Sequence, residues 1–131
     1  MKRYVAETGR QEVLAAFRKG PVAVCRMSEA EIVSALARRS REGSVDPRAL
    51  ERTVRAVRSD FLSFLVVEVT SGVVDRSVRL LLRYPLRAAD SLQLAAALEL
   101  RERTGEEIHF VAFDDRLNEA ARSERLVEPT H

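Results

Sequence analysis

Residues 22–39 read VAVCRMSEAEIVSALARR, and the change of period inside this stretch decides the fold. Its first six positions are apolar and partly β-branched, as in a short buried strand. From Ser28 onward, Ile32, Ala35 and Leu36 recur at helical spacing, so a helix is expected to run to near Gly43. A strand passing directly into a helix is the repeating piece of a parallel sheet covered on both faces.

The pattern extends outward from there. Upstream, residues 11–19, QEVLAAFRK, set Val13, Leu14 and Phe17 at helical spacing, and Gly20-Pro21 stops that helix. Downstream, Asp46-Pro47 is an N-cap and first-turn pair for a helix through Leu50, Val54, Val57 and Phe61, with arginines on its other side. Residues 64–69, FLVVEV, predict a strand, after which Thr70 caps a helix containing Val73, Val74, Val78 and Leu81. Residues 88–100 are so rich in Ala and Leu that their helix should be buried on more than one side. Residues 108–113, IHFVAF, predict another strand, followed by Asp114 and a helix carrying Leu117, Ala120 and Ala121; Leu126-Val127 would add a short last strand. The expected class is α/β, an open and mostly parallel sheet with helices on both faces, which binds ligands beyond the carboxyl ends of its strands.

Bulk properties set limits around this reading. A chain of 131 residues with 46% hydrophobic and 32% charged residues fits one ordinary globular domain. No apolar run is long enough to span a bilayer, and Lys2 and Arg3 are followed by no apolar signal core, so a cytoplasmic location is expected. The one cysteine, Cys25, reads as a buried small hydrophobe. A net charge of +2 decides nothing about partners, although the excess of arginine over lysine suits phosphate. The five glycines are scattered and form no phosphate loop, which argues against nucleoside-triphosphate hydrolysis.

Three acids are expected near the carboxyl edge of the sheet: Glu31, Asp90 and Asp114. Each has a capping alternative. Ser28-Glu29-Ala30-Glu31 matches a capping box, and Asp90 and Asp114 could each favour the first turn of a helix. Asp90 differs in lying among Ala88, Ala89, Leu92 and Leu94, where a carboxylate is costly without a cation or donor. Carboxylates without histidine or thiolate suit magnesium or manganese, and such a cluster could activate water against a phosphodiester.

The residues also carry a resemblance. Residues 28–39, SEAEIVSALARR, resemble the first internal motif of PIN domains; residues 86–98, LRAADSLQLAAAL, resemble the central motif; residues 110–121, FVAFDDRLNEAA, resemble the last. Their order and separation make the match specific, and it covers almost the entire chain. It implies a three-layer α/β/α fold of the toxin type and a ribonuclease using Mg2+ or Mn2+ held by Glu31, Asp90 and Asp114. Ser28, Arg87 and Asp115 are supporting positions: Ser28 at the family's hydroxyl position, Arg87 near phosphate or in an ion pair, Asp115 facing solvent at a helix start. The partners implied are RNA, a small antitoxin protein and a second copy of the chain. PIN domains usually open with a central strand bearing a further aspartate ahead of residues similar to KRYVAETG at positions 2–9, and here no Asp precedes Asp46. The resemblance thus implies a single domain over residues 1–131, truncated at its start, with the central strand missing and residues 2–8 too polar to replace it well. An inactive PIN-like module for binding or dimerisation, and a receiver-like phosphoacceptor, are the competing readings.

Two arginine groups complete the inventory. Arg48, Arg52, Arg55 and Arg58 recur on one helix and Arg38, Arg39 and Arg41 cluster on the preceding one, either as an RNA-tracking face or as solvated surface. His109, flanked by Ile108 and Phe110, reads as structural.

Overall fold

The computed structural model describes residues 3–6, 22–111 and 115–126. In chain order its elements are β1 (Arg3–Ala6), β2 (Val22–Cys25), α1 (Met27–Arg41), α2 (Pro47–Phe61), β3 (Leu65–Val67), α3 (Ser71–Arg83), α4 (Ala88–Thr104), β4 (Ile108–Val111) and α5 (Asp115–Ser123). The helix expected at residues 11–19 and the final strand position Val127 lie outside the described residues, and Leu126 is buried but belongs to no strand.

The strands form a parallel sheet in the order β3-β2-β1-β4. This bears out the α/β class but corrects the expectation of an empty central place, because β1 fills it. Val5 lies opposite Ala23 of β2 and Phe110 of β4, and Ala6 lies opposite Val111. The polarity of this segment is no obstacle, because ladder bonds are made by backbone N–H and C=O groups whatever the side chain. Two strands that would otherwise present open edges therefore accept it.

Side-chain alternation along β2 divides the core. Val24 points to a small cluster with Phe61 of α2, packed by Ile32, Val57, Phe64 and Val66. Ala23 and Cys25 point the other way, into a larger cluster built from Val67, Val73, Leu80, Leu94, Leu98, Ile108, Phe110 and Leu117. Both faces are thus covered, as an all-parallel sheet requires.

Helix α4 is the centre of the larger cluster. Ser91, Gln93, every residue from 94 to 98 and Leu100 are buried, as the Ala- and Leu-rich composition predicts. Its alanines let neighbours approach closely, and α3 does so through a buried hydroxyl pair: Ser91 donates to the Ala88 carbonyl at 2.7 Å, leaving Ser77 to donate to Ser91 Oγ at 2.6 Å. Arg76 of α3 adds ion pairs to Glu99 and Glu102 of α4. Gly105 ends α4 at φ +67°, with its N–H on the Arg101 carbonyl at 2.8 Å, a left-handed cap that glycine adopts without strain. Glu124, just past α5, then gathers Tyr84 Oη at 2.6 Å and Arg83 Nη1 at 3.1 Å, while its carbonyl accepts from Arg101 at 2.7 Å.

The expected N-caps divide in outcome. Thr70 Oγ1 accepts from the Val73 amide at 3.2 Å, as its sequence position predicts. Asp46 stands at the start of α2 with Pro47 next, but its side chain makes no capping bond. The capping box of Ser28 and Glu31 does not form: α1 starts two residues earlier than a Ser28 cap requires, Arg26 takes the cap position, and Ser28 is drawn inside the helix and buried.

The serine pair yields an asymmetric prediction. Ser91→Ala strands the Ser77 hydroxyl and should cost about 1–3 kcal/mol. Ser77→Ala should cost less, since Ser91 keeps Ala88, and the double variant should fall short of the sum. Urea unfolding of the three variants measures all of these values.

Candidate active site

The site begins where β2 ends. Beyond Cys25 the Arg26 amide donates to the Val67 carbonyl at 2.9 Å, joining the start of α1 to the end of β3. The Arg26 guanidinium grips Glu68 through Nε at 3.0 Å and Nη2 at 2.6 Å and reaches Glu29 at 3.3 Å. This exposed cluster forms a charged rim, and the bond from Arg26 holds the Glu68 carboxyl below its ordinary range.

Inside the rim stand two of the acids expected from sequence. Glu31 comes from the second turn of α1 and Asp90 from the first turn of α4, both half-buried. Gln93, one turn beyond Asp90 and fully buried, donates from Nε2 to Glu31 Oε1 at 2.7 Å. Burial pushes the Glu31 carboxyl above its usual range and the nearby charge of Asp90 adds to this, while the bond from Gln93 opposes both. Two acids from distant parts of the chain are therefore close enough to repel each other, and one is fixed by a buried amide.

Two further polar atoms at this end have no partner among the described residues. They are Ser28 Oγ, on a side chain only 2% exposed, and Gln93 Oε1. Ser28 lies three residues before Glu31 and so shares its face of α1. Buried polar atoms in folded proteins are nearly always paired, so these two mark a place where a further polar group belongs.

The remaining expected positions fall as follows. Asp114 lies outside the described residues, three positions beyond the end of β4 in sequence. Asp115 is exposed in the first turn of α5, facing solvent as anticipated. Arg87 occupies the cap position of α4, exposed and without an ion pair among the described residues; the structural pairing anticipated for it is not made there. Cys25 is buried, and burial pushes its thiol above the ordinary range. The His109 side chain is outside the described residues.

Gln93 escaped the sequence reading. Its signal was a lone amide inside LQLAAAL, at a helical spacing of three from an acid; a polar side chain in so apolar a helix needs a buried partner.

The donor set fits a hard divalent cation. It offers carboxylate, amide and hydroxyl oxygens and no thiolate, a combination suited to magnesium or manganese over zinc. Among the described residues no group of three or more His, Cys, Asp or Glu side chains gathers at one point, so two acids define the site.

Comparison with known proteins places this architecture. No curated protein matches the chain significantly in sequence. Among solved structures, a toxin-antitoxin complex from Klebsiella pneumoniae is similar with a TM-score of 0.60 at 17% identity, over 85% of this chain and 86% of that one. The PAE2754 crystal structure from Pyrobaculum aerophilum is similar with a TM-score of 0.64 at 25% identity, over 90% of this chain and 84% of that one. The family model of the PIN domain matches residues 4–123. With that match spanning both site helices and all but the first residue of the four strands, the chain belongs to the PIN domain family.

Proposed function

We propose that this protein is a metal-dependent endoribonuclease, acting as the toxin of a toxin-antitoxin pair, with Glu31, Asp90 and Asp114 holding Mg2+ or Mn2+. The observation that carries the reading is the hydrogen bond from Gln93 to Glu31, which ties Glu31 to α4 one turn from Asp90. Two acids whose charges oppose each other gain most from a bound cation. Such a metal supplies an activated water and neutralises charge developing on the phosphodiester.

The protein's own groups have separable roles in this scheme. Gln93 fixes one oxygen of Glu31 and leaves the other to a ligand. Asp90 presents its carboxylate from the first turn of the most buried helix, whose packing holds it in place. Arg87, exposed three residues earlier, is available to a phosphate oxygen.

The partners belong to the same proposal. The structural likeness to a toxin-antitoxin complex supports a small antitoxin protein as one of them. A second copy is the other, and Val74, Val78, Leu81 and Leu82, exposed along α3, are apolar surface that self-association would cover. No helix among the described residues is long and apolar enough to cross a membrane. A PIN-like binding module without activity is the second reading, favoured by the presence of only two site acids among the described residues.

Three outcomes test these roles. Manganese-dependent cleavage of a mixed RNA panel should fall by at least about a hundredfold in Asp90→Asn, in line with the loss of a charged group that stabilises the transition state; cleavage equal to that of the parent chain refutes the site, and no cleavage by either favours the binding module. Gln93→Met, which keeps the volume and removes the donor, should weaken Mn2+ binding about 10–100-fold in a titration followed by electron paramagnetic resonance, with the fold intact. Glu31→Gln should raise the Tm of the metal-free protein at neutral pH. Native Glu31 keeps its proton to higher pH than the unfolded chain does, so its contribution to stability is lost as pH rises through the raised pKa. The gain should vanish below about pH 3, where the carboxyl is protonated in both states.

A further inference from the structure

Arginines in this protein divide into those used within the fold and those left over. Arg26, Arg58, Arg76, Arg83 and Arg103 each meet a carboxylate, and Arg101 meets the Glu124 carbonyl. Along the outer side of α2 this changes. Arg48, Arg52 and Arg55 are all exposed, recur at spacings of four and three residues, and make no ion pair among the described residues. That spacing aligns them on one face, with successive rises of about 6 and 4.5 Å. The opposite side of α2 is anchored in the small core cluster by Val57 and Phe61, so the arginine face is turned outward by packing.

The stripe has two distinct ends. At its far end, residues 42–46 join α2 to the last turn of α1, where Arg38, Arg39 and Arg41 are exposed as well. At the near end, Arg58 Nε meets Glu29 Oε1 at 3.3 Å, which brings this part of α2 to the first turn of α1, two residues from Glu31. A line of guanidinium groups about 15 Å long, ten residues at the helical rise, thus leads from a basic corner to Glu29 in the charged rim of the site.

We propose that Arg48, Arg52 and Arg55 form a track for the phosphate backbone of single-stranded RNA, delivering it past Arg58 to Glu31 and Asp90. The inference rests on the nuclease reading and adds to it the surface that holds the substrate. The face carries three arginines against one acid, Glu51, three residues after Arg48 and four before Arg55, so its charge stays positive along its length. One file of cations matches one backbone, whereas a duplex presents two across a groove. The acids repel phosphate, so a polyanion needs cations leading up to them, and the stripe provides these outside the site itself.

The test is binding of a labelled single-stranded RNA, followed by fluorescence anisotropy in calcium over a series of salt concentrations, with manganese-dependent cleavage of the same RNA run alongside. In the Arg48→Gln, Arg52→Gln, Arg55→Gln triple variant, affinity at low salt should fall about tenfold or more. The slope of log affinity against log salt should shrink by about 2, since each lost phosphate contact removes roughly 0.7. An equal charge loss at Arg79, Arg103 and Arg125, exposed elsewhere, should leave both close to the parent values. Parent-like affinity and slope in the triple variant, with the parent chain cleaving RNA, overturn the track, leave the nuclease reading standing and turn this face toward an acidic protein partner. Absence of both binding and cleavage by the parent chain overturns both proposals.

Discussion

Between Ser91 and Leu100 helix α4 has almost no surface to give to water, and the rest of the molecule is arranged around that constraint. A polar helix can lie on a sheet by one stripe, but a stretch of alanines and leucines needs cover on nearly every side. The sheet covers one side, α3 closes over the second with its serine contact, and α5 with Leu117, Ala120 and Ala121 closes the third. Every polar group α4 carries inward is then under pressure to find a partner. Ser91 finds Ser77 and the Ala88 carbonyl, and Gln93 finds Glu31.

The last of these links makes the packing of α4 a matter of chemistry. Because Gln93 is buried, its amide cannot be satisfied by solvent, and because Glu31 is half-buried, its charge is not fully screened. Their hydrogen bond ties α1 to α4 across the end of the sheet and sets Glu31 beside Asp90. The core therefore holds together two acids that oppose each other, a locally unfavourable arrangement that functional sites tolerate and whose cost the surrounding core offsets. On the outer surface the same logic operates with the opposite sign. Arginines near a carboxylate are absorbed into the fold, and Arg48, Arg52 and Arg55 of α2 meet none among the described residues.

Much of this was legible in the chain itself. The change of period after Met27, the apolar runs ahead of Thr70 and after Gly105, and the alanine content of residues 88–100 each report a local preference or a burial demand that adjacent residues carry on their own. Strand ends and caps were less legible. The strand expected over residues 64–69 narrows to Leu65–Val67, and Ser28 moves from cap to interior, because those boundaries are set by which backbone groups meet a neighbour across the sheet. The place of β1 between β2 and β4 is hidden for the same reason: the segment is polar in sequence, and its backbone pairing decides its position.

The sequence by itself determined the α/β class, the alternation of helices and strands between residues 22 and 123, and the positions of Glu31 and Asp90 near helix starts, since each follows from patterns within a few neighbouring residues. Only the tertiary structure decided that Glu31 turns from Ser28 to Gln93, that its charge lies within reach of Asp90, and that Arg58 is drawn to Glu29 while Arg48, Arg52 and Arg55 stay unpaired among the described residues. The physical reason is separation along the chain. Gln93 lies 62 residues from Glu31 and Arg58 lies 29 from Glu29, and a contact at such range depends on how whole elements pack, which no local period records.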